Sequence, residues 1–205
     1  MISPTPWIER SFNFDFSAGL YPCLLERLRG TPARIEEMVH GVDDRLLSKK
    51  PNAGWSVKEQ IGHLMALEAL HEGRLDDFIA GKQILREADM TNKDTETSNH
   101  NEKSAETLLK NFRRARSNFV LRLENADDSL IQSSSLHPRL KILMRMVDWF
   151  TLPVSMMIIT LQRSGPSFYI LFLFRKVQRQ GVYAIAQSCW IRPIIKYMAE
   201  VSATY

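Results

Sequence analysis

The sequence has few of the residues that define specialised small folds. Its 205 residues include two cysteines, Cys23 and Cys189, and only nine each of glycine and proline. So few cysteines exclude a disulfide scaffold, and so little glycine and proline excludes collagen-like and low-complexity chains. No run reaches the roughly 18 consecutive apolar residues of a spanning helix, so no membrane span is expected. The remaining composition, 44% apolar and 24% charged, is globular and fits one domain.

Acidic residues are nearly absent from the last quarter of the chain. Residues 1–150 hold 21 Lys+Arg and 22 Asp+Glu, whereas residues 151–205 hold 6 Lys+Arg and a single acid, Glu200. The net charge of +4 therefore comes from the C-terminal part. Because the first 150 residues are net negative and their aromatic residues do not alternate with a basic stripe, nucleic-acid binding is not expected. We predict a domain at residues 1–150 and an atypical basic, apolar tail at residues 151–205.

The N-terminus and the cysteines favour a cytoplasmic protein. Residues 1–10 lack a basic segment followed by an apolar one, so no signal peptide is expected. The two cysteines show neither a disulfide framework nor the spacing of a metal site, which fits a reducing compartment.

Helical spacing of apolar residues dominates the first 150 positions. Residues 20–40 form one such stretch, which Gly30-Thr31-Pro32 interrupts, so a kink or restart is expected there. The clearest helix start is Ser56-Val57-Lys58-Glu59, a capping box in which the Ser56 hydroxyl and the Glu59 carboxylate each satisfy a backbone N–H. This second helix is expected to end just before Gly81, which supplies a left-handed cap.

Two further helices complete the predicted architecture. After a polar loop at residues 86–103, a third helix is predicted from Ser104, and Pro153 is expected to interrupt a fourth that starts within residues 144–150. Four basic residues on the third helix are interpreted as a solvated face, with a phosphate-binding patch as the less favoured alternative: Lys110, Arg113, Arg114 and Arg116. No strand pattern is visible. The fold class is therefore all-α, a four-helix bundle whose fourth helix is incomplete or replaced by a non-native tail.

His63 is the candidate functional residue of the second helix. Leu67 and Leu70 follow it at i+4 and i+7, so its ring is expected to point into the bundle. Glu59, one turn earlier, could hold the ring or act as a second ligand. A core-facing histidine is more often a hydrogen-bonded structural residue than a metal ligand, and a transition-metal site normally needs three or more protein ligands. The other histidines are assigned to helix ends and loops: His40, His71, His100 and His137.

The segment Trp55-Ser56-Val57-Lys58-Glu59-Gln60-Ile61-Gly62-His63-Leu64, followed by Glu68, resembles the second-helix signature of the DinB-like superfamily. This superfamily includes bacillithiol S-transferases and mycothiol-dependent maleylpyruvate isomerases, and the resemblance spans roughly residues 10–150. It implies a four-helix bundle in which three histidines hold zinc or nickel, one of them matching His63. It also implies a small-molecule substrate, a low-molecular-weight thiol, and thiol transfer, isomerisation or hydrolysis. A homodimer is a further expectation.

The resemblance predicts two more histidines, four residues apart, shortly after Asp148-Trp149. Met156 and Thr160 occupy those positions. His63 is then the only predicted metal ligand, so we expect weak metal binding and little or no activity. The alternative is a non-catalytic helical protein that binds a partner through an exposed groove or through the basic tail.

The genetic code offers a cause for the two missing histidines. Met156-Met157 must be encoded ATG ATG, followed by ATH ATH ACN for residues 158–160. Read one base earlier, these bases become NAT GAT GAT HAT HAC, which forces Asp-Asp and permits His-Asp-Asp-His-His. Together with the loss of acids, this supports the hypothesis that residues from about 151 onward continue a DinB-like gene out of frame. Within that tail, the uncharged aromatic run Ser167–Phe174 is an aggregation hazard.

Overall fold

The computed structural model describes residues 9, 11–14, 16–50 and 54–163, with side chains up to residue 155. Helices make up most of this part of the chain, which confirms the all-α class and the bundle. The helices are α1 (Tyr21–Arg29), α2 (Thr31–Val39), α3 (Asp44–Leu47), α4 (Val57–Ile79), α5 (Lys93–Thr97), α6 (Ala105–Glu124), α7 (Asp128–Gln132) and α8 (Met146–Arg163). Two strands, β1 (Ser134–Leu136) and β2 (Leu143–Arg145), and 3-10 turns at Ala18–Leu20 and His100–Glu102 complete the described elements.

The bundle is formed by α1 and α2 together, α4, α6 and α8. Helices α4 and α6 share the most extensive contact, and α8 packs against both α1 and α4. The core between them is aromatic and aliphatic, and its largest fully buried apolar side chains are Trp149, Phe112, Phe119, Phe150, Leu28, Ile35, Leu47, Ile61, Leu64, Leu75 and Leu85. The stability of the bundle therefore depends on side chains from all four of these rods.

Local capping signals place the two longest helices as the sequence predicts. Ser56 and Glu59 form the capping box, with the Ser56 N–H donating to Glu59 Oε2 at 2.8 Å and the Glu59 N–H donating to Ser56 Oγ at 3.1 Å. Gly81 adopts a left-handed φ of +63° just after α4. Ser104 caps α6 by accepting the Thr107 N–H at 3.1 Å. Each signal acts within one turn and is readable without the tertiary structure.

Two expectations about irregular regions are wrong. Residues 86–103 are not a continuous loop, because α5 and the turn at His100–Glu102 form within them. Residues 134–145 contain an antiparallel hairpin, in which Ser135 pairs with Met144. Strands of three residues are too short to show an alternating pattern, so the sequence gives no signal for them. Met144 lies in β2, so the fourth helix predicted from the sequence, α8 in the structure, begins at Met146.

Helix α8 continues past Pro153 to Arg163, further than the sequence predicts. A proline removes the hydrogen bond to the carbonyl four residues earlier, here that of Trp149. The flanking Leu152 and Val154 are buried, and burial of the helix compensates for this loss. Within the described residues, no helix has the length and apolar character needed to cross a bilayer.

Arg145 joins three parts of the chain at the start of α8. Its backbone N–H and its Nε donate to Asp148 Oδ2, both at 2.9 Å. Its Nη2 donates to the carbonyls of Phe14 at 3.2 Å and Phe16 at 3.0 Å. One side chain therefore fixes the N-terminal segment to the hairpin and to the first turn of α8.

Candidate metal centre

His63 lies in a polar and aromatic enclosure at the N-terminal half of α4. Its ring packs on Trp55, with ring centroids 4.6 Å apart, and its Nδ1 is 3.0 Å from Thr95 Oγ1. The Trp55 indole donates to Glu96 Oε1 at 2.6 Å, which holds α5 over the histidine. The residues around His63 therefore come from the segment before α4 and from α5, and the sequence offered no signal for this contact because α5 was interpreted as loop.

Thr95 controls which nitrogen of His63 carries the proton. Thr95 is 3% exposed, and the described residues offer its hydroxyl no acceptor other than His63 Nδ1. When the hydroxyl donates to Nδ1, the neutral ring carries its proton on Nε2. Nε2 becomes a ligand lone pair only if the hydrogen bond reverses, so that Nδ1–H donates to Thr95.

Burial keeps the His63 imidazole uncharged at neutral pH. Desolvation, followed by the nearby His71 and His100, lowers the pKa of His63 from 6.5 to about 4. A neutral imidazole is the form that binds metal ions. The electrostatics of His63 are therefore compatible with a ligand role.

Glu59 has a different role from the one suggested by its position one turn before His63. Its Oε2 accepts from the Ser56 N–H, and its Oε1 is 2.7 Å from Lys50 Nζ. Both carboxylate oxygens are thus engaged in capping α4 and in an ion pair. Glu59 neither holds the His63 ring nor offers a free oxygen as a second ligand.

The deepest seam of α4 is not the face that carries His63. Leu67 and Leu70 are only partly buried, whereas the buried positions follow Ile61, Leu64, Glu68, His71, Leu75 and Phe78. His71 was expected at a helix end, but it is buried in the middle of α4 and stacks on Phe119 with centroids 6.0 Å apart. Glu68 and His71 lie on this buried face, so a search for an apolar stripe does not identify it as the core-facing side of α4.

A buried ion pair explains the polar residues on that seam. Arg116 of α6 is 1% exposed, and its Nε donates to Glu68 Oε2 at 2.8 Å. A second contact between their Nη2 and Oε1 atoms makes the pair bidentate. The His71 Nδ1 lies 3.6 Å from Glu68 Oε1. Assignment of Arg116 to a solvated face was therefore wrong, because a charged residue can be buried when a partner on the facing helix neutralises it.

His100 packs directly on the backbone of α4 beside His63. A Cβ atom built on Gly62 would lie 2.4 Å from three atoms of the His100 ring, so only glycine fits there. Both ring nitrogens of His100 are enclosed without a hydrogen-bond partner among the described residues. His100 and His71 lower the pKa of His63, but they do not complete a ligand set with it.

The described side chains do not fit a divalent-metal site. Within that part of the chain, no three His, Cys, Asp or Glu residues are placed to hold one ion. Zinc and nickel sites in proteins normally use three or more protein ligands. Met156 and Thr160, the positions of the two expected histidines, lie in α8, but their side chains fall outside the described residues. His63 is thus a single candidate ligand.

The same fold occurs among solved structures. One of them is YfiT from Bacillus subtilis, reported as "a probable metal-dependent hydrolase with an unusual four-helix bundle topology". The two chains are 16% identical, the match covers 84% of this chain and 94% of YfiT, and the TM-score is 0.64. At this identity the likeness establishes a shared four-helix bundle. Neither a protein-family model nor a curated protein sequence matches the chain.

Proposed function

We propose that the chain is a DinB-like, metal-dependent enzyme whose metal site is incomplete. The observation that carries this proposal is the position of His63, on α4 of a bundle shared with YfiT and inside the Trp55–Leu64 signature. The report of YfiT as a probable metal-dependent hydrolase supports a divalent metal as the cofactor of the complete site. With one histidine in place of three, this chain binds zinc or nickel weakly and has little or no activity.

The reaction class follows from the same resemblance. A complete site would use the metal to lower the pKa of a bound thiol or water, for thiol transfer, isomerisation or hydrolysis of a small molecule. Among the described residues, Thr95 would orient His63, the single candidate ligand. We place the protein in the cytoplasm and expect a homodimer, whose subunit count sedimentation can measure.

Restoring the two histidines tests the proposal directly. Met156→His and Thr160→His together place imidazoles four residues apart on α8, the spacing that lets two side chains share one face. We expect zinc to bind the purified wild-type chain weakly by isothermal titration calorimetry. The double variant should bind at least about tenfold more tightly, which corresponds to about 1.4 kcal/mol from the two added ligands together.

His63→Ala in the double-variant background is the control for location. It should remove the gained affinity, whereas His40→Ala, which changes an exposed histidine at the end of α2, should not. Stoichiometric zinc or nickel held by the wild-type protein in elemental analysis would overturn the proposal. So would a double variant that binds zinc no better than the wild type while its helical circular dichroism is unchanged.

We further propose that residue 150 marks the end of the native DinB-like sequence and that residues 151–205 are read out of frame. Support comes from the forced Asp-Asp codons and from the single acid after residue 150. The nucleotide sequence of codons 149–161 decides the matter. Codons that spell His-Asp-Asp-His-His one base earlier support the proposal, and codons that cannot do so refute it.

A further inference from the structure

Arg74, near the C-terminal end of α4, is a buried cation without a carboxylate partner among the described residues. It is 6% exposed, and its Nε donates to the Arg86 carbonyl at 3.1 Å. Its Nη1 contacts His137 Nε2 at 3.2 Å. The nearby Asp77 carboxylate is already engaged by Arg86, at 2.9 Å to each oxygen, and by Lys82 at 2.7 Å. Burying a guanidinium on neutral acceptors alone is costly, so a missing anion is indicated.

His137 is contacted by a donor at each ring nitrogen. Besides Arg74 at Nε2, the Leu140 N–H points at Nδ1 from 3.2 Å. A neutral imidazole has one lone pair and one N–H, so it can accept only one of these two hydrogen bonds. Either the Arg74 Nη1–H or the Leu140 N–H is consequently left without an acceptor on His137, a residue that is 3% exposed. An acceptor atom placed between His137 Nε2–H and Arg74 would satisfy both donors.

Positive charge surrounds this pair. Burial and then the charge of Arg139 lower the pKa of Arg74 to about 10, so the guanidinium stays charged at neutral pH. Burial and then Arg74 and Arg139 lower the pKa of His137 to about 4. Arg139 is exposed and lies in the hairpin turn that begins at His137. The local field therefore favours an anion near this pair.

One nitrogen of the Arg74 guanidinium is available to a ligand. Arg74 Nη2 has no hydrogen-bond partner among the described residues and is not fully enclosed by them. Gly73 leaves room for the Arg86 guanidinium, which would lie 2.0 Å from a Cβ at that position. Arg86 is thereby held on Asp77, so the Asp77 charge stabilises Arg74 only at a distance and Arg74 has no hydrogen bond to a carboxylate among the described residues. Arg74 is eleven residues along α4 from His63, which is about 16 Å of helix.

We propose that Arg74, His137 and Arg139 bind the phosphate group of a small ligand. A phosphate oxygen would accept from Arg74 and from His137 Nε2–H, and Arg139 would contact the outer oxygens. Two guanidinium groups suit an anion with several acceptor oxygens and about two negative charges better than a singly charged carboxylate. This site does not use His63, so it is independent of the incomplete metal centre.

Inorganic phosphate is the probe for the test. Thermal unfolding of the full chain is followed as phosphate replaces chloride at constant ionic strength, with acetate as a parallel titration. We expect a saturable rise in the melting temperature with phosphate and a much smaller one with acetate. Arg139→Ala should weaken the apparent affinity about tenfold, the value of one charge-assisted hydrogen bond. Lys110→Ala, which removes an exposed cation from α6, should leave it unchanged.

Arg74→Gln should abolish the response altogether. Should this variant fail to fold, Arg139→Ala and the charge reversal Arg139→Glu decide the outcome, because Arg139 is exposed. A second measurement is the His137 side-chain nitrogen resonances, which should shift with phosphate in the wild type and not with acetate. The proposal is overturned if phosphate and acetate stabilise the wild type equally. Equal phosphate midpoints for the wild type, Arg139→Ala and Arg139→Glu would also overturn it.

Discussion

Arg116 and Glu68 are charged residues that behave as core residues. They lie on α6 and α4, face each other across the bundle, and are 1% and 2% exposed. The Arg116 guanidinium also reaches the Leu28 carbonyl at 3.3 Å, which links the pair to α1. Three of the helical rods therefore meet at one ion pair, and removing a single charge leaves the other buried without compensation.

Glu68→Gln tests this dependence. The variant leaves the Arg116 charge buried and unpaired, so the free energy of unfolding in urea should fall by about 3–5 kcal/mol. Asp76→Asn is the matched control on the same helix, because it breaks the exposed Arg122–Asp76 pair and should cost less than about 1 kcal/mol. Equal losses in the two variants would show that burial of the pair is unimportant.

His63 should make stability depend on pH between 6.5 and 4. Its pKa is about 4 in the folded chain and 6.5 as its ordinary value, so within this window the unfolded chain binds more protons. The contribution of His63 to the free energy of unfolding is therefore fully present above pH 6.5. It falls as the pH drops towards 4, by at most about 1.4 kcal/mol per pH unit. Urea unfolding at pH 7 and pH 5 should show a smaller decrease for His63→Gln than for the wild type. His40→Gln should keep the wild-type decrease, and an unchanged slope in His63→Gln would contradict the prediction.

Helix α4 illustrates, at the scale of an element, which features a sequence can reveal. Its start and end were predictable, because the capping box and Gly81 act on neighbouring backbone groups. Its buried seam was not, since Glu68 and His71 become compatible with burial only beside Arg116 and the rings of α6 and α8. The same distinction explains the hairpin, whose strands are too short to show an alternating pattern before they pair. The contact of Thr95 with His63 also depends on the placement of α5, which no local signal specifies.

Gly62 should be intolerant of a side chain although it lies inside a helix. Glycine to alanine in a helix interior usually stabilises by up to about 1 kcal/mol. Here the new Cβ meets the His100 ring at 2.4 Å, so Gly62→Ala should instead lower the free energy of unfolding by about 1–3 kcal/mol. The double variant Gly62→Ala with His100→Ala, compared with His100→Ala alone, should recover the stabilising effect of alanine. A stabilised single variant would show that the ring moves without cost.

The whole molecule combines a bundle whose described core extends to Val154 with a tail, residues 151–205, that we propose is read out of frame. Leu152 and Val154 are buried in the core, so the first residues after the proposed frame change still fill space between the rods. The spacing of Leu152, Met156 and Ile159 predicts that they share one helical face and fill part of the groove, and Leu152 is indeed buried. The expected contributions of Met156 and Ile159 to the same face, and the aromatic run Ser167–Phe174, lie outside the described side chains.

Removing residues 164–205 should therefore preserve the fold. If the tail is foreign, a chain ending at Arg163 should keep its free energy of unfolding within about 1 kcal/mol of the full chain, a small fraction of typical domain stability. The truncated chain should also contain less soluble aggregate in size-exclusion chromatography, because it lacks the aromatic run. A chain that ends at residue 145 lacks α8 altogether and, as the contrasting variant, should not fold. Loss of the melting transition on removal of residues 164–205 alone would contradict the prediction.

The attachment made by Arg145 has a consequence for how the molecule opens. The guanidinium that pairs with Asp148 also donates to the Phe14 and Phe16 carbonyls, so detachment of the N-terminal segment breaks two hydrogen bonds to the side chain that caps the start of α8. Native-state amide exchange at the start of α8 and at the hairpin should therefore occur in a single cooperative opening, with shared protection and shared denaturant dependence. The N-terminal segment would then open together with α8 and the hairpin as one unit.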